Sequence, residues 1–173
     1  MDDGSEFIRI LGLYGVAVDF RRWDLFDRIF TGNVSADYSG AVFDGLLAFK
    51  VGAAAAWAVF DASQHAMMNP TWTISGDTAR SLTYGSWYIE RHGLPDGDIW
   101  EGRGWYDDRW VRAATGWRIA ARRNRVLSSS GNPQVLYGIT PTPRSVQVRS
   151  PAEAAAAGEV AFLQGDDLVG YAG

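Results

Sequence analysis

Residues 64–91 read QHAMMNPTWTISGDTARSLTYGSWYIER, and this stretch decides the fold. Aromatic, β-branched and small polar residues flank Ser75-Gly76-Asp77, which predicts two strands around a tight turn. The layout returns downstream. WEGRGWYDDRWVRA (100–113) and GWRIAARRNRVLSS (116–129) meet at Ala114-Thr115-Gly116 and predict a second hairpin. Four long strands in two hairpins imply an antiparallel sheet.

Upstream of this block the pattern is helical. Residues 5–20 predict a helix with Ser5 as N-cap and a face of Ile8, Leu11, Gly12, Gly15, Val18 and Asp19. Gly12 and Gly15 leave room for a close neighbour. Residues 23–30, WDLFDRIF, predict a short second helix with Trp23, Phe26, Ile29 and Phe30 on its apolar side and Gly32 as its C-cap. VSADYSG (34–40) predicts a short strand, and residues 44–60 a third helix. Helices followed by long strands argue an α+β fold with the helices on one face of the sheet. Strong curvature of that sheet leaves a pocket between the layers.

From residue 131 the chain is punctuated by Gly and Pro, and SPAEAAAAGEVAFL (150–163) predicts a short helix with Ser150 as N-cap and Pro151 at its first position. The expected division is therefore a domain over 1–130 and an extension over 131–173, packed on the domain or on a neighbouring subunit.

Composition narrows the function. The 173 residues suit one domain with a sizeable core. There is no cysteine, so thiol nucleophiles, thiolate metal sites and disulfides are excluded. The net charge of −4 argues against a general affinity for nucleic acid or anionic membrane. The Arg-rich run from Arg109 to Arg125 reads as a solvated sheet face, with Arg112 an exception if it points inward. VGAAAAWAVF is too short and Ala-rich to span a membrane. The acidic start MDDGSEF has no signal-peptide character, and a cytoplasmic protein is expected. Eight tryptophans suit a pocket for flat organic ligands.

Two residues carry candidate chemistry. Strand alternation puts His65, Met67, Asn69 and Thr71 on one face and Gln64, Ala66, Met68 and Trp72 on the other. The mixed polarity of the His65 face suits a pocket wall, although a lone histidine also serves as a core residue. Asp19 falls on or beside the buried helix face; the alternative is an exposed helix end paired to Arg21 or Arg22. His92 lies in a loop, and no His/Asp/Glu spacing resembles a metal site. No Gly-rich phosphate loop or nucleophile elbow is present, and no cofactor or metal is expected.

The order LYGVAVDFRRWDLFDRIFTGNVSADYSG, QHAMMNPTWTISGDTARSLTY, GRGWYDDRWVRAATGWRIAARR resembles the SnoaL-like branch of the nuclear-transport-factor-like superfamily over roughly residues 5–130. That branch is similar to scytalone dehydratase and to the lindane dehydrochlorinase. The resemblance implies a cone-shaped curved antiparallel sheet, with the three N-terminal helices enclosing a cavity that holds a His–Asp dyad. Asp19 matches the Asp at the end of the first helix, and His65 the His on the first long strand. It implies His65 as general base and Asp19 as the group fixing its tautomer. Tyr38 matches a tyrosine that helps bind a substrate carbonyl in scytalone dehydratase. That enzyme's second histidine has no counterpart in EGRGWYDD. Arg112 is the nearest match to an Arg that assists the leaving group in the dehydrochlorinase.

The expected activity is that of a cofactor-independent lyase, a dehydratase or dehydrohalogenase acting on a hydrophobic cyclic or aromatic-type substrate. An isomerase or polyketide cyclase with the same dyad is the alternative. So are a non-catalytic ligand-binding protein and a subunit of the dioxygenase β type. The expected walls are Tyr14, Tyr38, Trp57, Phe60, Met67, Trp87 and Trp105, with Arg112. A homo-oligomer, trimer or dimer, is expected through a sheet face presenting Leu82, Tyr84, Trp117 and Ile119.

Overall fold

The structure, a computed structural model, describes residues 2–136 and 150–164. Helix α1 spans Asp3–Asp19. Its N-cap is Asp2, whose carboxylate accepts from the Ser5 N–H and hydroxyl, so the helix starts before the expected cap at Ser5. Phe7, Ile10, Leu11, Tyr14, Gly15, Ala17 and Val18 face the core. Of the expected face, Ile8 and Gly12 are exposed. The large rings of Phe7 and Tyr14, two turns apart, set the phase instead.

The short second helix expected over 23–30 is a 3₁₀ helix, Trp23–Arg28. Trp23, Phe26 and Ile29 recur every three residues, which is the 3₁₀ repeat. Strand β1 follows at once over Phe30–Tyr38, so Gly32 is a strand residue and not a helix cap. Strand β2 spans Ala41–Asp44 and helix α2 spans Leu46–Trp57, inside the expected 44–60. The long strands are β3, Ala62–Ser75; β4, Thr78–Glu90; β5, Ile99–Ala113; and β6, Gly116–Gly131.

The six strands form one curved, open sheet in the order β2-β1-β6-β5-β4-β3. It is mixed, not wholly antiparallel, because β1 runs parallel to β6. Three successive reversals from β3 to β6 fix the direction in which β6 reaches β1, a long-range property that local pattern does not carry. The expected α+β class and the curved sheet under N-terminal helices are present.

The core lies between α1 and the concave sheet face. Phe7 packs on Trp72, Trp110 and Trp117 with ring centroids 5.8, 4.8 and 5.1 Å apart. Trp72 shares the His65 face, contrary to strict alternation. Asn69 adopts a φ of 48° before Pro70, and the register slips between Met68 and Thr71. Pro70 has no N–H for the ladder, and the bulge turns Trp72 inward. Trp117 and Ile119 are also fully buried in this core, so they do not present the convex face.

On the convex face, helix α3 (Pro151–Ala156) and a 3₁₀ turn (Ala161–Gln164) lie across β4, β5 and β6. Ser150 caps α3 through a capping box with Glu153. Ala154, Val160 and Phe162 bury against Trp105, Leu82 and Leu127. The Asp107 carboxylate accepts from the N–H groups of Ala161 and Phe162 at 2.5 and 3.1 Å. The stretch 137–149 of the expected extension, and 165–173, lie outside the described residues. No helix among the described residues is long and apolar enough to cross a membrane.

Candidate active site

Asp19 is the last residue of α1, and His65 is the fourth of β3. Gly15 brings the two elements together. A Cβ there would lie 3.1 Å from the His65 carbonyl oxygen and 3.6 Å from the His65 Cβ. His65 Nδ1 and Asp19 Oδ1 are 2.7 Å apart. Asp19 Oδ2 accepts from the His65 backbone N–H at 2.8 Å, and Oδ1 also accepts from the Ser63 hydroxyl at 2.9 Å. An ionised carboxylate only accepts, so the imidazole proton sits on Nδ1. Nε2 then carries the lone pair, and no group among the described residues bonds to it.

Behind this pair stands Arg21, in the left-handed region with φ 56°. Its guanidinium donates to the carbonyls of Val18 and Asp19 at 2.8 and 3.3 Å and to the Ser63 hydroxyl at 3.0 Å. Burial lowers the Arg21 pKa, and the Asp19 carboxylate works against that. Arg22 turns outward to Asp24.

His65 forms part of the wall of a cavity of about 140 Å³. That volume is on the scale of one small ring. Tyr14 and Val18 come from α1, Trp23 and Phe26 from the 3₁₀ helix, Tyr38 from β1 and Phe43 from β2. Helix α2 adds Phe49, Gly52, Ala53, Ala56 and Trp57; the sheet adds Trp87, Ile89, Trp100, Tyr106, Asn124 and Val126, and Ser39, Ala41 and Leu136 complete the lining. The Trp57 ring lies 5.8 Å from the imidazole. Its indole N–H is buried without a hydrogen-bond partner among the described residues.

The floor is phenolic. The Tyr38 hydroxyl donates to the Tyr14 hydroxyl at 2.9 Å, and the Trp87 indole N–H donates to the Tyr106 hydroxyl at 2.6 Å. Burial pushes the Tyr38 and Tyr106 phenols well above the usual tyrosine range, and raises Tyr14 too, with Arg122 opposing. All three therefore stay protonated at neutral pH and can donate. Beneath them the Arg122 guanidinium lies 4.3 Å from the Tyr14 ring and 4.6 Å from the Tyr106 ring. It forms two 2.7 Å hydrogen bonds with Asp108, and both side chains are fully buried.

Of the residues expected at the site, the structure brings together His65, Asp19, Tyr14, Tyr38, Trp57 and Trp87. Phe60 is buried but packs on the outer edge of Trp57 at 5.7 Å, outside the lining. Met67 packs into the core beyond the cavity. Trp105 faces away, on the opposite parity of β5 from Trp100 and Tyr106, and packs under the C-terminal segment. Arg112 sits at the other end of the molecule. It pairs with Asp3 at 2.8 Å and covers Trp117. Asp3 and Asp19 bound a 17-residue helix, and at 1.5 Å per residue its ends are about 24 Å apart. Sequence reasoning missed Trp23, Phe26, Phe43, Phe49, Trp100, Tyr106 and Asn124 as lining residues, and it missed Ser63; it named Arg21 only as a partner for Asp19 at an exposed helix end. Ser63 had a signal, since it lies two residues before His65 and so on the same strand face. Among the described residues, no group of three His, Asp or Glu side chains is placed to hold a metal ion.

Comparison with known proteins agrees with this architecture. An uncharacterised protein of Mycobacterium tuberculosis is 31% identical over 124 residues, covering 70% of this chain and 84% of the relative, and its Mycobacterium bovis counterpart matches equally. The Kfla4162 protein of Kribbella flavida superposes with a TM-score of 0.71 at 25% identity, over 75% of this chain and 93% of that one. A protein assigned as a scytalone dehydratase in Novosphingobium aromaticivorans gives a TM-score of 0.66 at 16% identity, over 73% and 85%. A type 2 hexachlorocyclohexane dehydrochlorinase gives 0.63 at 13%, over 71% and 84%; both share the fold. The SnoaL-like domain family matches residues 2–123, and the chain belongs to that family.

Proposed function

We propose that this protein is a cofactor-independent enzyme in which His65 removes a proton from carbon on a hydrophobic cyclic substrate, with loss of a leaving group as in a lyase. One observation carries the reading. Asp19 is filled by donors from Ser63 and His65, so Nδ1–H is held toward the carboxylate, and the basic Nε2 of this cavity-wall histidine has no hydrogen-bond partner among the described residues. Asp19 fixes the tautomer and stabilises the imidazolium as it forms. The apolar wall excludes water and grips a flat ring. The Trp57 N–H, which has no partner among the described residues, and the Tyr14–Tyr38 hydroxyls are the donors for charge developing on the substrate oxygen or leaving group. The fold shared with a protein assigned as a scytalone dehydratase and with a dehydrochlorinase agrees with this chemistry.

Isomerisation is the second reading. Apart from His65, the described lining carries no imidazole or carboxylate, and a single base that takes a proton and returns it is what isomerisation needs. We also propose that residues 1–130 form the catalytic domain, that the protein acts in the cytoplasm, and that it works as a homo-oligomer. Exposed Ile8 and Val16 on α1 and Phe20 at its C-cap, with Leu47 and Val51 on α2, support association. The test is carbon-bound hydrogen exchange in deuterium oxide. A panel of small cyclic ketones, alcohols and halides is followed by NMR, with wild type and His65→Ala. Wild-type exchange that disappears in His65→Ala is expected. Undiminished exchange in a folded His65→Ala protein would end the reading.

A further inference from the structure

A carboxylate 2.7 Å from a nearly buried imidazole raises a difficulty for a general base, because an unbalanced Asp19 favours the charged imidazolium, which cannot accept a proton. The surroundings of Asp19 answer it. Arg21 Nη1 donates to Ser63 Oγ at 3.0 Å, Ser63 Oγ donates to Asp19 Oδ1 at 2.9 Å, and the same oxygen meets His65 Nδ1 at 2.7 Å. The chain is continuous from a permanent cation to the base. From the arrangement we infer that Arg21 and Ser63 are positioning residues that balance the charge of Asp19 and so hold His65 in its neutral, proton-accepting form. This rests on the reading of His65 as the base.

Charge counting supports it. The charges of Arg21 and Asp19, linked through the Ser63 hydroxyl, cancel, so a neutral imidazole leaves the group uncharged, whereas an imidazolium adds a net charge in a poorly solvated place. Ser63 adds a second effect. Its hydroxyl shares Oδ1 with the imidazole and spends part of the acceptor strength there. The backbone points the same way. Among the described residues, Arg21 is one of three non-glycine residues with positive φ, a conformation with a steric cost that persists where the surroundings enforce it. That conformation turns the side chain back onto the end of α1. There it also caps Val18 and reaches the Phe60 carbonyl at 3.5 Å. The groups that face His65 from the elements packed around it are Asp19 and Tyr14 of α1, Arg21 just beyond, and the uncharged Trp57 and Trp87. Arg21 is the cation bonded into this set.

The test reads the imidazole directly and needs no substrate. The midpoint of the His65 titration is followed by NMR in wild type, Arg21→Gly, Arg21→Lys and Ser63→Ala, with exposed His92 as internal reference. Glycine adopts the left-handed conformation freely, so Arg21→Gly removes the cation without straining the turn. The midpoint should rise by about one pH unit in Arg21→Gly and by less in Ser63→Ala, and stay near wild type in Arg21→Lys. Turnover in Arg21→Gly should fall at neutral pH and recover in alkaline buffer, which loss of a merely structural cap would not produce. Midpoints within about 0.2 units of wild type in both Arg21→Gly and Ser63→Ala would overturn the inference. A midpoint that moves in a protein without any hydrogen exchange upholds the charge balance and removes the catalytic reading, so the two failures separate.

Discussion

Arg122→Met is the perturbation whose cost the structure fixes most directly. The guanidinium and the Asp108 carboxylate are both fully buried and joined by two 2.7 Å hydrogen bonds. Methionine keeps much of the volume and adapts its shape, so the cavity contribution is small. What remains is a stranded carboxylate, and breaking one side of a buried pair costs about 3–5 kcal/mol. Burial already pushes the Asp108 carboxyl up, with Arg122 working against it. Without Arg122 the carboxyl takes up a proton, which places the loss toward the lower end of that range. Losing the cation from the Tyr14 and Tyr106 rings adds about 1 kcal/mol. The sum is about 4 kcal/mol, or a Tm lower by about 8–16 °C for a chain of this size. Urea unfolding followed by far-ultraviolet circular dichroism, with a thermal scan beside it, measures both. Arg122→Met combined with Asp108→Leu removes the stranded charge and should recover most of the loss. A single variant within about 1 kcal/mol of wild type, or a double variant no more stable than the single, would refute the reasoning.

His65→Ala should lower turnover by about 10²–10⁴-fold with unchanged circular dichroism. Asp19→Asn should be comparably impaired, and the double variant no worse than His65→Ala, as steady-state kinetics on any exchanging substrate will read. Gly15→Ala should push α1 away from the His65 carbonyl by a few tenths of an ångström. The expected sign is reduced turnover with a modest stability loss, measured by kinetics and denaturant titration. Alkaline stability follows from Tyr38, whose phenol is raised well above its ordinary value by burial. Below pH 10 both folded and unfolded chains hold the proton. Above it the unfolded chain loses the proton first, so stability falls as pH rises, by about 1.4 kcal/mol per pH unit for each such tyrosine. Tyr38→Phe should flatten that limb by one proton in urea titrations between pH 9 and 11.

What the sequence disclosed was whatever local period controls. The two hairpins, the α+β class, the capping of α3 and the approach of Gly15 to a neighbour were readable from turns, alternation and small residues. Asp19 and His65 were readable as candidates from a helix face and a strand face, and their pairing came from the family resemblance, not from local pattern. Strand parity was not readable in β5, where WYDD offers aromatic and acidic residues to both faces. Trp105 was therefore placed inside and Tyr106 overlooked. In β3 a single bulge at Asn69-Pro70 reversed the parity of Trp72. Arg112 was misplaced because motif register says nothing of which end of α1 a hairpin tip reaches. Arg21 was legible only as a partner for an exposed Asp19, because its link through Ser63 depends on one backbone angle, and arginine is not a residue from which a left-handed conformation is expected.

The aromatic wall has a practical consequence. Trp23, Trp57, Trp87 and Trp100, four of the chain's eight tryptophans, border the cavity. Indole emission responds to the polarity and hydrogen bonding around the ring, and half of the emitters here stand where a ligand would displace solvent. The protein thus carries its own optical reporter of occupancy. A library of unlabelled compounds can be ranked by fluorescence change before any reaction is known, and Trp57, beside the imidazole, is the emitter whose substitution would silence the response of ligands that reach His65.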